Sequence, residues 1–505
     1  MTIAVKEPLK MLVVIASYGV ANDKYLARIV AEYRDMPYST DIVVLSNIPK
    51  PVGDGVQVVV GLPSRDPWSL PFGHKQIFAD RVNEYDLFLY SEDDVLITRN
   101  NIAAFLRVSA VLPEGEIAGF LRFEEASDGS VSYPDVHGGY HWDAQSVRCR
   151  GEYTLGFFTN EHAASYIVTR DHLRRMLRSG GFLVPPHRGR YDLLCTAATD
   201  PYAQCGMVKL VCVSHIEEFL IHHLPNKYAG RLGISSRDFD VQLRALLGIA
   251  SERNPPRPLL EMNTRSKATH FCKSYYEPSR TDLINLVPAS ARTVLSIGCG
   301  WGATEKELAQ RGKRVIALPL DSVISACASL RGVEVVEGDL VSALHELSGM
   351  KFDCILMSNI LHVVEDPIEL LQSLLPFTTH KTAVVASVPN LSRLAVRWKK
   401  LAGKETHDNL GDFGKSGVQL TSRSRVRRWL RRGGLRIERF VDAVPPRFQA
   451  VCRASGGLLT PLLSSDIVAV ALPENLATQE YPASEVRGAG RTKSNRGLAT
   501  PVHTA

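Results

Sequence analysis

Apolar residues fall into two rhythms along this chain, and the pair recurs twice. The runs LVVIA (12–16), IVVLS (42–46), VQVVV (56–60) and DLFLY (86–90) are short and nearly continuous, as strands buried on both faces require. Between the first two, Tyr25, Leu26, Ile29, Val30 and Tyr33 recur at helical spacing. Further on come IAGFLRFE (117–124), a helix-period stretch from Asp171 to Arg178 closed by Gly180-Gly181, and KLVCVS (209–214). This alternation predicts one α/β domain over residues 8–250, a mostly parallel sheet covered by helices.

Residues 251–262 have no apolar period and contain Pro255, Pro256 and Pro258, so they read as a linker. The rhythm then resumes over 263–472. TVLSIG (293–298), RVIAL (314–318), FDCILMS (352–358) and TAVVASV (382–388) read as strands, and ATEKELAQRG (303–312) and PIELLQSLL (367–375) as helices. The end, 473–505, is polar and rich in Ala, Gly, Ser, Thr and Arg, which predicts a disordered tail. The fold class is therefore α/β, two doubly wound domains in tandem.

Composition narrows this only a little. A chain of 505 residues with 45% hydrophobic and 22% charged residues belongs with soluble enzymes rather than disordered, collagenous or membrane proteins. The net charge of +6 comes partly from an Arg- and Lys-rich stretch between Arg393 and Arg439. Within it, Arg423 to Arg432 has Val426, Trp429 and Leu430 at helical spacing, the mark of a solvated helix packed through one stripe rather than a phosphate-binding surface, so no nucleic acid is expected as partner. The nine cysteines include no C-x-x-C pair, which argues against both a disulfide framework and a zinc site. No apolar run is long enough to span a bilayer and the start shows no cleavage site, so the expected location is cytoplasmic, with room for peripheral membrane contact.

Candidate chemistry in the second half centres on Gly298-Cys-Gly300-Trp-Gly302, directly after a strand and before a helix, where glycines admit close backbone approach and helix N–H groups are free. Glu337-Gly-Asp339 follows the third strand, Ser358 and Asn359 close the fourth, and SVPN (387–390) closes the fifth. In this order the segments resemble class I S-adenosylmethionine (SAM)-dependent methyltransferases. The resemblance implies SAM as cofactor, with Gly298, Gly300, Gly302, Asp321, Asp339 and Asn359 around it. Two positions depart from the family: Pro319 stands where an acid usually binds the ribose, with Asp321 two residues on as the substitute, and Ser296 replaces the acid before the glycines. A dinucleotide-binding Rossmann domain is the runner-up, and it too wants an acid after the second strand. His362, after the fourth strand, is either a catalytic base or a structural histidine, and Asp366-Pro367 reads as a helix N-cap.

In the first half, Glu92-Asp93-Asp94 leaves an apolar strand as three adjacent carboxylates, which repel unless a cation or basic group compensates. The alternative is a loop whose acids cap the helix near Asn100. The run resembles the Asp-x-Asp region of GT-A glycosyltransferases, with Glu92-x-Asp94 matching its spacing. That resemblance implies a divalent cation, Mn²⁺ or Mg²⁺, held by Glu92, Asp94 and His222 or His223, and a nucleotide-sugar donor, with Lys227 facing phosphate. Ser17-Tyr18 would lie by the nucleoside, and Pro67-Trp68 through His74-Lys75 would form part of the donor pocket. Asp192 and Asp200 are candidates for activating an acceptor hydroxyl, Asp192 being preferred. A hydrolase and a carbohydrate-binding module are the alternatives on such a scaffold. Together the halves suggest a bifunctional enzyme that transfers a sugar to a glycan or lipid-linked acceptor and methylates the product. The alternative is that one domain alone is catalytic and the methyltransferase-like one is a scaffold or acceptor-binding module.

Overall fold

The computed structural model describes residues 8–252, 256–261, 271–401 and 410–474. The first half is built on a five-stranded sheet. Strands β1 (Lys10–Ser17), β2 (Ser39–Ser46), β3 (Val56–Val60) and β4 (Leu87–Glu92) are mutually parallel in the order 3-2-1-4, and Ser165–Thr169 adds antiparallel to β4. Every side chain from Met11 to Ile15 is fully buried because helices cover both sheet faces. The helix Asp23–Arg34 buries Leu26, Ile29, Val30 and Tyr33, four of the five apolar positions its spacing singled out. Two smaller mixed sheets extend the domain, and one carries Leu220–His223 between Leu121–Glu125 and Val95–Leu96.

The second half is one seven-stranded sheet. Its strands run Glu334–Val335, Arg314–Pro319, Thr293–Cys299, Cys354–Ser358, Ala383–Pro389, Asp466–Pro473, Leu435–Ala443, or 3-2-1-4-5-7-6 counted within this half. The first five are parallel, as in a doubly wound nucleotide-binding sheet. The last strand in sequence then inserts antiparallel between the fifth and sixth, which departs from the all-parallel dinucleotide order. Alternation along the strands sorts the core into two layers. Leu295, Ile297, Ile316, Leu318, Ile355 and Met357 face one, and Val294, Val315, Ala317, Cys354 and Leu356 the other.

The segment read as a free linker is partly packed. The helix Ser236–Ser251 runs to its threshold, and beyond it Leu259 is buried, its N–H donating to Leu320 O (3.0 Å) while its carbonyl accepts from Leu340 N (3.0 Å). Residues 253–255 and 262–270, and the tail beyond Glu474, lie outside the described residues. The helix Ser236–Ser251 also joins the halves. Phe239, Leu243, Leu246 and Ile249 face the first domain's core, with Phe239 stacked 3.9 Å from Tyr133. On its other side Asp238 pairs with Arg331 (2.8 Å) and Gln242 donates to Cys327 Sγ (3.6 Å) and accepts from the Tyr276 hydroxyl (3.3 Å).

Truncating Phe239 to Ala therefore removes a fully enclosed ring at the seam. A loss of about 3–5 kcal/mol is expected in urea unfolding followed by tryptophan emission; a loss below ~1 kcal/mol would show that the helix is not anchored there.

Candidate functional site

The carboxyl edges of β1 and β4 meet at a cleft of about 270 Å³ lined by Tyr18, Asn22, Trp68, Glu92, Asp93, Asp94 and Lys227 among others. Ligands of open α/β sheets bind at such edges. Pro67, Trp68, Leu70 and Pro71 form one wall on a short 3-10 turn whose start is fixed by Asp66 accepting from Trp68 N (3.0 Å). Trp68 and Tyr18 are each 51% exposed, two aromatic faces open at the rim.

The three carboxylates are held in different ways. Asp93 accepts from Asn22 Nδ2 (2.7 Å), and Asp94 from His223 Nε2 (3.3 Å). The other nitrogen of His223 bonds to Glu124, whose second oxygen accepts from Tyr228 N (2.7 Å). Glu92 Oε1, Asp93 Oδ2 and Asp94 Oδ1 are buried without a partner, as are Ser17 Oγ and the Tyr90 hydroxyl beside them on the same strands. Burial, reinforced by Asp94, pushes Glu92 up to about 8, and burial raises Asp93 to about 6. Burial acts in the same direction on Asp94, but the His223 hydrogen bond and charge hold it below the ordinary carboxylate range. Among the described residues no group of three or more His, Cys, Asp or Glu side chains is arranged to hold a metal ion.

Several expected residues lie elsewhere. His222 and His223 are neighbours on a strand and so point to opposite faces. His222 stacks on Phe123 (4.7 Å) and bonds to Asn226 (2.9 Å), away from the acids, so the pair does not act together. Asp200 is fully buried in an ion pair with Lys75, whose ammonium also lies over the Phe72 ring (4.4 Å). Neither is open to an acceptor or a donor; the pair locks a helix to the cleft wall. His74 is likewise internal, bonded to Tyr166 and Pro71 O, and burial lowers it to about 3. Asp192 stays exposed and N-caps the helix Leu193–Ala203 by accepting from Cys195 N (2.9 Å), two residues from the cleft-lining Leu194. The acids do not cap the helix near Asn100; Thr98 does so, in a capping box with Asn101.

In the second half the glycine turn is enclosed by its own chain. Gly298 (φ +73°) and Gly302 (φ +84°) take left-handed backbone that favours glycine. A Cβ at Gly300 would lie 2.2 Å from Tyr275 O, the atom that accepts from Trp301 N (2.9 Å). Ser296 donates to Glu305 Oε1 (2.7 Å), so an acid does reach the place left by the missing strand acid, from the following helix. Asp321 does not stand free as a ribose ligand. Its Oδ1 caps the next helix through Val323 N (2.9 Å) and Ile324 N (2.8 Å), and the carboxyl is buried under the Tyr275 hydroxyl, burial raising its pKa. Asp339 also caps, accepting from Ser342 N (2.9 Å).

Asn359 (φ +50°) donates to Glu277 Oε1 (3.2 Å), and Glu277 further binds Lys273 (3.0 Å), Arg280 (3.0 Å) and Ser358 Oγ (2.8 Å). Burial works against its charge, but Lys273 and Arg280 take Glu277 down to about 2. This cluster was missed in the sequence, where the only signal was the YYEPSR run before the first strand. His362 borders a second cavity of about 240 Å³ with Cys272, Asn359, Asn390 and Arg393. Its Nε2 bonds to Phe271 O (2.8 Å), its buried Nδ1 has no partner, and burial lowers it to about 4. Asp366 caps the helix from Pro367, and the helix Arg423–Arg432 buries only Val426, Trp429 and Leu430, as its spacing predicts.

Residues 279–410 match the family model described as methionine biosynthesis protein MetW, about a quarter of the chain. No curated protein matches. Among solved structures, a SAM-dependent methyltransferase from Archaeoglobus fulgidus is 18% identical with a TM-score of 0.29, over 38% of this chain and 91% of its own. One from Mesorhizobium loti is 17% identical with a TM-score of 0.27, over 38% and 96%. Magnesium protoporphyrin IX methyltransferase from Synechocystis, with bound SAH, is 16% identical with a TM-score of 0.28, over 38% and 80%. At these scores the likenesses carry no argument of their own. The strand order and the MetW match do, and together they make the second half a Rossmann-like, methyltransferase-like fold.

Two outcomes follow. Gly300→Ala drives a methyl group into Tyr275 O and costs about 1–3 kcal/mol in denaturant unfolding; a neutral result would mean the Tyr275 contact is not kept in solution. Glu92, raised in the folded state, holds more protons there than when unfolded, so its contribution to stability falls as pH rises from its ordinary range through about 8. Glu92→Gln removes that loss, and its melting temperature without ligand should exceed wild type above about pH 8 but not near pH 4.

Proposed function

We propose that the chain is a glycan-assembly enzyme in which the first half transfers a sugar from a nucleoside-diphosphate donor and the second half methylates the glycan or its acceptor. The observation that carries the first activity is the set of partnerless buried oxygens on Glu92, Asp93 and Asp94 at an open cleft. Buried polar atoms are nearly always satisfied, and carboxylate oxygens left without partners cost about 1–3 kcal/mol each. A divalent cation shared with a diphosphate supplies the missing charge, and Mg²⁺-type sites need only one or two protein carboxylates. Lys227, on the same cleft, faces the phosphates, and Tyr18 and Trp68 offer ring faces to the base. Asp192, exposed and two residues from the cleft-lining Leu194, is the candidate to take a proton from an acceptor hydroxyl.

For methyl transfer, the support is the fold, the glycine turn and the cavity at His362. With Nε2 committed to a backbone carbonyl, Nδ1 keeps a lone pair at the cavity wall that can receive an acceptor's proton. The carboxylate expected at a ribose diol, Asp321, is instead spent as a cap under Tyr275. That last observation favours the second reading, in which this half binds the acceptor without methylating it.

Thermal unfolding separates these readings. UDP or GDP with Mn²⁺ should raise the melting temperature of wild type but not of Asp94→Asn, since ligand binding to the folded state stabilises it. Equal shifts in both would remove the metal-diphosphate role. Calorimetric titration with SAM and SAH then decides the second half: saturable heat supports methyl transfer, and none leaves the acceptor-binding reading.

A further inference from the structure

The helix Leu394–Leu401 is amphipathic the wrong way round. Leu394, Trp398 and Leu401 fall at i, i+4 and i+7 and form one apolar stripe, yet they are 45%, 65% and 82% exposed. A helix of a globular domain turns such a stripe inward. Here the buried residue is Val396, on the opposite side, packed with Phe271, Leu391, Leu410 and Val418. The stripe is flanked by exposed Arg397 and Lys399, and the helix has no acid. It packs on the turn Thr460–Leu463, before which Leu458 is 83% exposed, and the adjoining helix Pro446–Ala454 presents exposed Arg447, Val451 and Arg453. No Asp or Glu occurs in 391–401 or in 443–465.

We infer that this helix and the neighbouring Leu458 turn are a docking surface for an anionic lipid bilayer. Tryptophan seeks the headgroup level, leucines enter the acyl boundary, and Lys and Arg meet anionic headgroups. Charge selects this occupant over a second copy of the chain, because the stripe's own helix carries Arg397, Lys399 and Lys400 and no acid, and two such helices repel across a two-fold axis. The surface lies on the bilayer rather than through it, since among the described residues no helix is long and apolar enough to cross a membrane. Arg393, immediately before the stripe, lines the His362 cavity, so docking brings the mouth of that cavity to the membrane surface. An acceptor carried on a lipid would reach it there. The docking itself depends on neither proposed activity.

The test uses the full chain in co-sedimentation with vesicles of phosphatidylcholine alone or mixed equally with phosphatidylglycerol. Wild type should pellet with the mixed vesicles and not the neutral ones. Leu394→Ser, Trp398→Ser and Leu401→Ser combined should lower the partition roughly tenfold or more. Should the triple variant fail to fold, Trp398→Phe decides: brominated lipid quenches wild-type tryptophan emission, and that added quenching disappears in the variant. Three results overturn the proposal: no binding of wild type to mixed vesicles, unchanged binding or quenching in the variants, or Trp398-dependent dimerisation in their absence.

Discussion

The amide and carbonyl of Tyr275 point to different halves of the molecule and are both engaged, the N–H donating to Gly138 O (2.7 Å) and the oxygen accepting from Trp301 N (2.9 Å). Its ring stacks on His141 of the first half (4.1 Å) and its hydroxyl reaches Asp321 of the second. Much follows from this one residue. Position 300 has to be glycine, because the carbonyl occupies the space of a Cβ. The turn after the first strand of the second sheet is set against the first domain and not only against its own helix. Any ligand at that turn shares its wall with a loop from the other half.

The two sheet edges solve opposite electrostatic problems. At the second, Glu277 is surrounded by Lys273, Arg280, Ser358 and Asn359, and the cluster is complete as it stands. At the first, Arg122 is spent on Asp135 through Nε (2.8 Å) and Nη2 (2.6 Å), and the three carboxylates keep oxygens with no proton donor. A compensated cluster stiffens a protein. An uncompensated one, in a cleft, is stable only at a cost that a bound cation or phosphate-metal pair can relieve. This contrast makes the first edge the stronger candidate for ligand chemistry.

Strands and turns were legible in the sequence because burial on both faces leaves unbroken apolar runs, and because the glycine turn must bend sharply. Residue types at the strand ends were legible for the same reason. Roles were less so. Asp321 was read as a ligand from its position, but its sequence neighbours equally make it an N-cap, and the local hydrogen bonds win. Asp200 and Lys75 are 125 residues apart, and nothing in either stretch announces a buried pair. The opposed faces of His222 and His223 could have been anticipated from the two-residue period of a strand, had Leu220–His223 been recognised as one.

The helix Ser236–Ser251 has a consequence for how this chain can be divided. Its apolar face completes one core while Asp238 and Gln242 complete the surface of the other half. Cutting at the proline-rich stretch after it would leave the first fragment with two polar groups stripped of partners and the second with Arg331 and Cys327 newly exposed. The proline-rich joint in the sequence and the packed boundary between the halves are thus different places. A recombined protein that kept either half alone would have to repair one face of this helix before it could behave as an independent unit.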